Sequence, residues 1–499
     1  MAGVATTGLE LQSAKGRIAL AATVGASAMA MLDATVVNVA LPHIGDEFDA
    51  SVSALQWVLT GYLLALASLI LLGGALGDRY GRRKVFLLGT VWFALASTLC
   101  GASPSIEVLV VARVLQGVGA ALLTPGSLAI IQASFRERDR AAAVGAWSGF
   151  GGIAGAIGPF IGGWLVDGPG WRWAFLINVP IAVVVVACSR AVPESRDPHA
   201  AKGFDLVGAG LGIVTLGAAT WSLTEGGPRG WTDPAVLLTG VIAVGAAAAF
   251  VWRMMHTHDP LVPPRLFRSR NFTVTNLETV LLYAALGVSF FLVVYQLQVA
   301  AGWSALRAGS ALIPATLLMF LFSARSGALA QRIGPRLQLT VGPLFTGAGL
   351  LLLSRIGSDP SWVSDVLPGA VVFGVGLSTF VAPLTATVMG SVDADHVSIA
   401  SGVNNAIART ASLAAVAVIP AVSGLSVATG AAEVTSAYRE SLVIAAVVAM
   451  LASPLGFLGL GAHARTGRSS RRRYCSVDGP PLQPDPAKCP ELVTGAVAR

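Results

Sequence analysis

Apolar residues along this chain come in long blocks, and polar residues collect in the short intervals between them. Fourteen blocks can be drawn, at 18–41, 53–73, 85–103, 106–131, 141–164, 174–190, 205–225, 234–253, 272–297, 306–326, 337–356, 365–388, 398–425 and 439–461. Each approaches or exceeds the ~20 residues an α-helix needs to cross a hydrocarbon core about 30 Å thick. Within a block, apolar and polar residues do not alternate with the period of two that a barrel strand requires. Backbone groups at membrane depth must bond within the chain, so the pattern predicts fourteen membrane-spanning helices. Lys15 and Arg17 precede the first block as in a signal peptide, but the block is too long for a signal h-region and reads as a retained first helix.

An even number of crossings puts both termini on one side. Placing them inside leaves 26 Lys and Arg in the inner segments and five at the outer ends, Arg172, Arg229, Arg307, Arg355 and Arg439. Cytoplasmic loops carry such an excess, so both termini are expected in the cytoplasm. The interval with Asp393 and Asp395 holds no Lys or Arg, and its acids precede span 13, where a helix N-terminus favours negative charge. From 462 to 499 the apolar pattern stops, and arginines 468 and 471–473 are followed by five prolines. This tail reads as disordered and cytoplasmic. Its basic cluster is either an anchor of the positive-inside kind or a contact for anionic lipid.

Composition sharpens this picture. Of 499 residues, 12% are charged and 54% hydrophobic, and the mean hydropathy is +0.72. A soluble protein carries about 25% charged residues. The net charge of +7 sits in short inner loops, so it marks topology and implies no nucleic-acid partner. Arginine outnumbers lysine 29 to 4, which with abundant Ala, Gly and Val points to a GC-rich bacterial genome. Cys100 and Cys188 fall within blocks as small hydrophobes, and Cys475 and Cys489 lie in the tail. With no zinc spacing or disulfide framework, no metal and no cofactor is expected.

Residues 74–83, GALGDRYGRR, are echoed by residues 327–336, GALAQRIGPR, with six of ten positions identical. The echo relates the interval after span 2 to the interval after span 10, so the repeat is eight spans on. It predicts two six-helix halves, 18–190 and 272–461, with two extra helices inserted in the linker 191–271, and a cytoplasmic N-terminus at 1–17. Parallel repeats of this kind are a transporter signature.

The stretch GALGDRYGRRK, from Gly74 to Lys84, resembles the inner-loop signature of the major facilitator superfamily. Gly77 and Gly81 allow a tight turn, while Arg79, Arg82, Arg83 and Lys84 hold it inside. The resemblance implies that Asp78 faces the N-terminus of span 13 near Ser398. The echo carries Gln331 in place of that acid. With LDATVVNVALP in span 1, RVLQGVGAA in span 4, GFGGIAGAIGPFIGG in span 5 and WRWAFLINVP from Trp171, the chain from 18 to 460 is similar to the fourteen-helix drug:proton antiporters. That resemblance implies an all-α membrane protein of the major facilitator fold. In span 5, Gly151, Gly155, Pro159 and Gly163 share a face with Gly158 and Gly162 beside it, so helix backbones can approach closely there. The resemblance implies that this antiporter motif seals the halves on one side; ordinary helix packing is the plainer reading.

Ionisable residues inside spans are functional candidates, because they cost about 2.5–3.5 kcal/mol on insertion scales. Asp33 in span 1 lies about 12 Å from the outer end and Arg113 in span 4 about 10 Å, so the two can meet. They are either a proton-coupling pair or a fixed structural ion pair. Glu278 in span 9 is a second proton or cation site, or an interfacial acid. Arg409 lies near the middle of span 13 with Asn404 and Asn405 one turn before it, and a packing or gating role is expected. Trp57, Tyr62 and Tyr283, with Asn404 and Arg409, are candidates for the substrate cavity, although aromatic residues at membrane interfaces look the same in sequence.

The expected function is export of a hydrophobic drug or antibiotic in exchange for protons, by a monomer in the bacterial inner membrane with the lipid bilayer as its solvent. Export of an endogenous metabolite or self-made antibiotic is the alternative. No Walker sequence is present to use ATP. A membrane enzyme or channel would need clustered catalytic residues or a repeated filter, and neither is visible.

Overall fold

The computed structural model of the chain describes residues 8–196, 205–257, 260–392, 397–428 and 430–460, with positions 141, 148, 149, 151, 152, 156 and 398 described in backbone only. Asp393, Asp395 and the tail with Cys475 and Cys489 lie outside the described residues.

Each apolar block forms a helix. They are α1 (Ala14–Phe48), α2 (Val52–Tyr80), α3 (Arg82–Gly101), α4 (Ile106–Ser134), α5 (Glu137–Asp167), α6 (Trp173–Ala191) and α7 (Leu206–Arg229). Then follow α8 (Pro234–His256), α9 (Arg270–Ala300), α10 (Ala305–Ile333), α11 (Arg336–Leu353), α12 (Trp362–Gly390), α13 (Val397–Val422) and α14 (Ala431–Gly459). Thirteen helices among the described residues are long and apolar enough to cross a bilayer. The fourteenth, α5, has 31 residues. Its first turn carries Glu137 and Asp139, and Ile153–Asp167 is an apolar stretch at its other end.

Several helices overrun their apolar blocks because polar caps set their ends. The side chains of Ser13, Ser51, Ser105, Asp205, Asp233, Ser269 and Ser304 each accept a backbone N–H of a following first turn. The turn between α2 and α3 needs glycine, since Gly81 has φ +120°. Its counterpart in the echo, Gly334, has φ +86°.

The packing repeats as the sequence echo predicts. In the first half α1 packs on α5 and α6, while α2 and α3 pack on α4. In the second half α9 packs on α13 and α14, while α10 and α11 pack on α12. The halves meet through two equivalent pairs, α2 with α13 and α5 with α10. The inserted helix α7 lies over the α2–α13 seam, and α8 packs against α7. Glu225 of α7 holds that seam by accepting from Ser53 Oγ at 3.0 Å and Trp57 Nε1 at 3.3 Å. The outer face of α8 bears exposed apolar side chains, Val241 at 70% and Val244 at 72%. Such a surface belongs in lipid, and the chain is a multi-pass membrane protein.

Candidate functional site

Asp33 and Arg113 meet inside the first half. Arg113 donates from a terminal nitrogen to Asp33 Oδ2 at 2.7 Å, and Arg113 and Asp33 are 1% and 0% exposed. Gln116 Nε2 and Asn178 Nδ2 donate to Asp33 Oδ1 at 2.7 and 2.9 Å. All three groups donate, which matches an acceptor-only carboxylate. Ser97 Oγ accepts from the same two amides at 2.7 and 3.2 Å, and Arg113 Nε donates to the Val58 carbonyl at 3.0 Å. Five helices, α1, α2, α3, α4 and α6, thus close on one ion pair. Gly117 makes this reach possible: a Cβ there would lie 2.4 Å from the Tyr62 carbonyl, so α4 and α2 approach as only glycine allows.

Arg113 also stacks on Tyr62, with its guanidinium carbon 4.3 Å from the ring centroid. Tyr62 in turn lines a cavity between the halves, with an empty volume of about 950 Å³ that includes its open mouth. The cavity is walled by α1, α2, α4 and α5 from one half and by Met389 and α13 from the other. Its lining runs from Tyr62 on α2 to Gln132 on α4 and Val397 on α13, so it opens at the end that carries the GALGDRYGRR turn.

The opposite end is closed at three places. Gln298 Nε2 of α9 donates to the Val39 carbonyl of α1 at 3.0 Å. Gln56 Nε2 of α2 donates to the Val416 carbonyl of α13 at 3.0 Å. The third closure is the glycine-rich part of α5. A Cβ on Gly158 would meet Thr35 Oγ1 at 1.9 Å, and one on Gly162 would meet Val36 Cα at 3.0 Å, so these two glycines seat α5 on α1. A Cβ on Gly163 would lie 2.3 Å from Leu306 Cα, and one on Gly309 would lie 2.3 Å from the Pro159 carbonyl, which seats α5 on α10. One turn past Gly163, Asp167 accepts the backbone N–H groups of Ala305 and Leu306 at 3.0 and 2.8 Å. Gly155 faces open space next to Met31, whose sulfur is 4.0 Å from a built Cβ. Gly151 is described in backbone only.

At the open end, Asp78 bonds Arg82 across the turn, at 2.7 and 2.8 Å to two guanidinium nitrogens. The Ser398 side chain, its expected partner, lies outside the described residues. The segment after α6 packs onto the same turn: Glu194 Oε1 accepts from the Arg83 N–H at 3.1 Å, and the Ser195 carbonyl accepts from the Arg82 N–H at 2.9 Å. A Cβ on Gly81 would run into the Glu194 carboxylate at 2.7 Å, and one on Gly74 would rest on Pro125 at 3.6 Å. Gly77 accepts the Gly81 N–H, and Arg79 lies over the Tyr80 ring.

Other candidates spread more widely. Tyr62 and Arg409 line the cavity, whereas Trp57 turns to Glu225 on the α7 seam. Asn404 donates to Asn276 and Thr279 of α9, so its neighbour Asn405 is the cavity-lining amide. The Tyr283 carbonyl accepts from Ser412 Oγ at 2.9 Å, another α9–α13 tie. Glu278 is fully buried within the second half, against Gly456 of α14 and Leu339 of α11, and among the described residues neither of its oxygens has a hydrogen-bond partner. Sequence reasoning did not single out Gln116, Asn178, Ser97, Trp147 or Asp167. The available signal was a polar side chain inside an apolar or glycine-rich helix.

Comparison with known proteins agrees with this geometry. The sequence model described as Major Facilitator Superfamily matches residues 23–417. The chain is 34% identical over 447 residues to the methylenomycin A resistance protein of Bacillus subtilis (strain 168), covering 89% of this chain and 94% of that protein. It is 35% identical over 384 residues to the tetracenomycin C resistance and export protein of Streptomyces glaucescens, covering 77% and 71%. Among solved structures, a D-xylose–proton symporter aligns with TM-score 0.64 at 15% identity, over 90% of this chain and 98% of that one. A POT family transporter bound to a thioalcohol-conjugated peptide aligns with TM-score 0.65 at 14% identity, over 88% and 94%. At those identities the likeness concerns the fold.

Proposed function

The chain belongs to the Major Facilitator Superfamily, and on that premise we propose that it exports small hydrophobic molecules, antibiotics among them, in exchange for protons. Its curated relatives include resistance and export proteins, which supports the substrate class. The observation that carries the coupling is the sealed Asp33–Arg113 pair, whose guanidinium stacks on the cavity-lining Tyr62. A substrate that displaces Tyr62 also moves the only cation bonded to Asp33 among the described residues. The charge on Asp33 is then balanced by Arg113 in one state and by a proton in the other. Breaking a buried ion pair on one side costs about 3–5 kcal/mol, so the two balances do not mix freely.

The lysine and arginine distribution supports the orientation. The turn-bearing end faces the cytoplasm, and the cavity is open to that side. Export requires the α5–α10 and α1–α9 closures to part while the other end shuts. Each proton entering down a 100 mV potential supplies about 2.3 kcal/mol for that cycle. The protein acts as a monomer in the bacterial inner membrane with both termini cytoplasmic.

The test is an antibiotic susceptibility panel in a bacterial host stripped of its own exporters. Expression should raise the inhibitory concentration of at least one hydrophobic antibiotic, and a protonophore should restore accumulation. An exporting phenotype that survives the protonophore with ATP depleted contradicts proton coupling.

A further inference from the structure

We propose that the cavity takes amphipathic organic anions, carboxylates foremost, and that Arg409 holds the anionic group. The inference rests on the export reading above and narrows its substrate class. Among the described residues that line the cavity, Arg409 is the one with a formal charge. The other polar lining groups are neutral: Ser27, Thr124, Gln132, Ser401 and Asn405. Asp33 contributes no compensating charge, because it is 0% exposed and bonded to Arg113. Glu278 is equally buried and faces Leu339 and Gly456, away from this space.

Arg409 is half-buried, and among the described residues its guanidinium has no ion-pair or hydrogen-bond partner. It stands about 18 Å along α13 from Val397 and about 20 Å from Val422 at 1.5 Å per residue, too far from either end for its side chain to reach a membrane surface. An unpaired cation at that depth is costly, and it is retained where it faces a water-filled cavity with a ligand to meet. A guanidinium presents a planar fork of donors that matches a carboxylate in two parallel hydrogen bonds. The rest of the lining suits the apolar body of such a ligand: Met31, Leu66, Ile70 and Leu128 with the rings of Tyr62 and Trp147. A cationic amphiphile would meet like charge with no acid to offset it.

The probes are 1-pyrenebutyrate, its methyl ester and 1-pyrenebutylamine, which share one apolar body and carry negative, zero and positive charge. Binding to the purified full-length protein is read by equilibrium dialysis at neutral pH, without any gradient. The butyrate should bind roughly tenfold tighter than the ester, as expected for a charge-assisted pair, and the amine should bind weakest. Arg409→Gln should collapse the three affinities to within about threefold, and Arg409→Lys should keep the order at reduced strength. Asn405→Asp leaves the arginine in place but gives it an acidic neighbour one turn away, and it should erase the preference as well. Variants are compared only where gel filtration shows a monodisperse protein, and either neutralising variant suffices. Equal or tighter binding of the amine, no binding of the butyrate, or a preference that survives both variants overturns the proposal. Asp33→Asn should keep the preference; loss of proton exchange in that variant with the preference intact bears on the coupling alone.

Discussion

The carboxylate of Asp167 caps the helix that begins at Ala305, accepting the Leu306 backbone N–H at 2.8 Å across the boundary between the two halves. The N–H groups of a helix's first turn have no partner within the helix. Here a residue 139 positions away supplies one. The contact exists only while α5 and α10 touch, so it is a latch on the closed end, and the negative charge is well placed at the positive end of the helix dipole.

Asp167→Ala should therefore loosen the closed end. Spin labels at Ala102 and Ser358, exposed loop positions of the two halves at that end, would read the distance between them. The expected change is a two- to fivefold rise in the fraction with that end open, about what a carboxylate at a helix N-terminus is worth. An unchanged distance distribution would show that the glycine contacts alone hold the closure.

The glycines of α5 should separate by position. Gly163→Ala puts a methyl 2.3 Å from the Leu306 backbone, where neither chain can yield, so α5 and α10 cannot close as they do here. Gly155→Ala meets only the Met31 sulfur at 4.0 Å and should be tolerated. Export by the two variants at matched expression checks this, and equal activity contradicts the close-approach account.

Much of this arrangement is legible in the sequence, for identifiable reasons. Apolar block length reports bilayer thickness, so the spans and their order follow from it. Matched depths of Asp33 and Arg113 follow from helix rise alone, and the two residues do meet. Gln116 and Asn178 stand in the quoted stretches RVLQGVGAA and WRWAFLINVP, but depth ranks charges and is silent on neutral amides. Trp57 was expected at the cavity; which face of α2 meets α7 depends on how the inserted pair packs, and no period in α2 encodes that. Glu278 is read as a second proton or cation site or an interfacial acid because the echo fixes only the intervals after α2 and α10, and the rotation of α9 is free of it. Asp167 gains its meaning from a helix start far along the chain.

The neutral members of the ion-pair network should matter to stability as well as to transport. Gln116→Ala deletes donors to Asp33 and Ser97 in a site with 0% exposure and should destabilise the protein by about 1–3 kcal/mol. Thermal unfolding in detergent would show this as a lowered Tm. A Tm equal to wild type would mean that water or a neighbour replaces the amide.

The two copies of the turn motif should not be equivalent. Asp78→Asn weakens the bond to Arg82 that braces the α2–α3 turn and should lower export with normal membrane insertion. Gln331→Ala should do much less, since the echo has no carboxylate at that position. Equal losses would remove any mechanistic meaning from the difference between the copies.

The central claim is that Asp33 exchanges the proton that drives export. The most direct measurement is substrate-induced proton movement in proteoliposomes holding a pH-sensitive dye, comparing wild type with Asp33→Asn, which carries no exchangeable proton. The substrate is a compound found in the susceptibility panel. The account predicts a pH change in wild type and none in Asp33→Asn, with substrate binding by the variant retained. A full proton response from Asp33→Asn would contradict it and would move the carrier elsewhere in the chain.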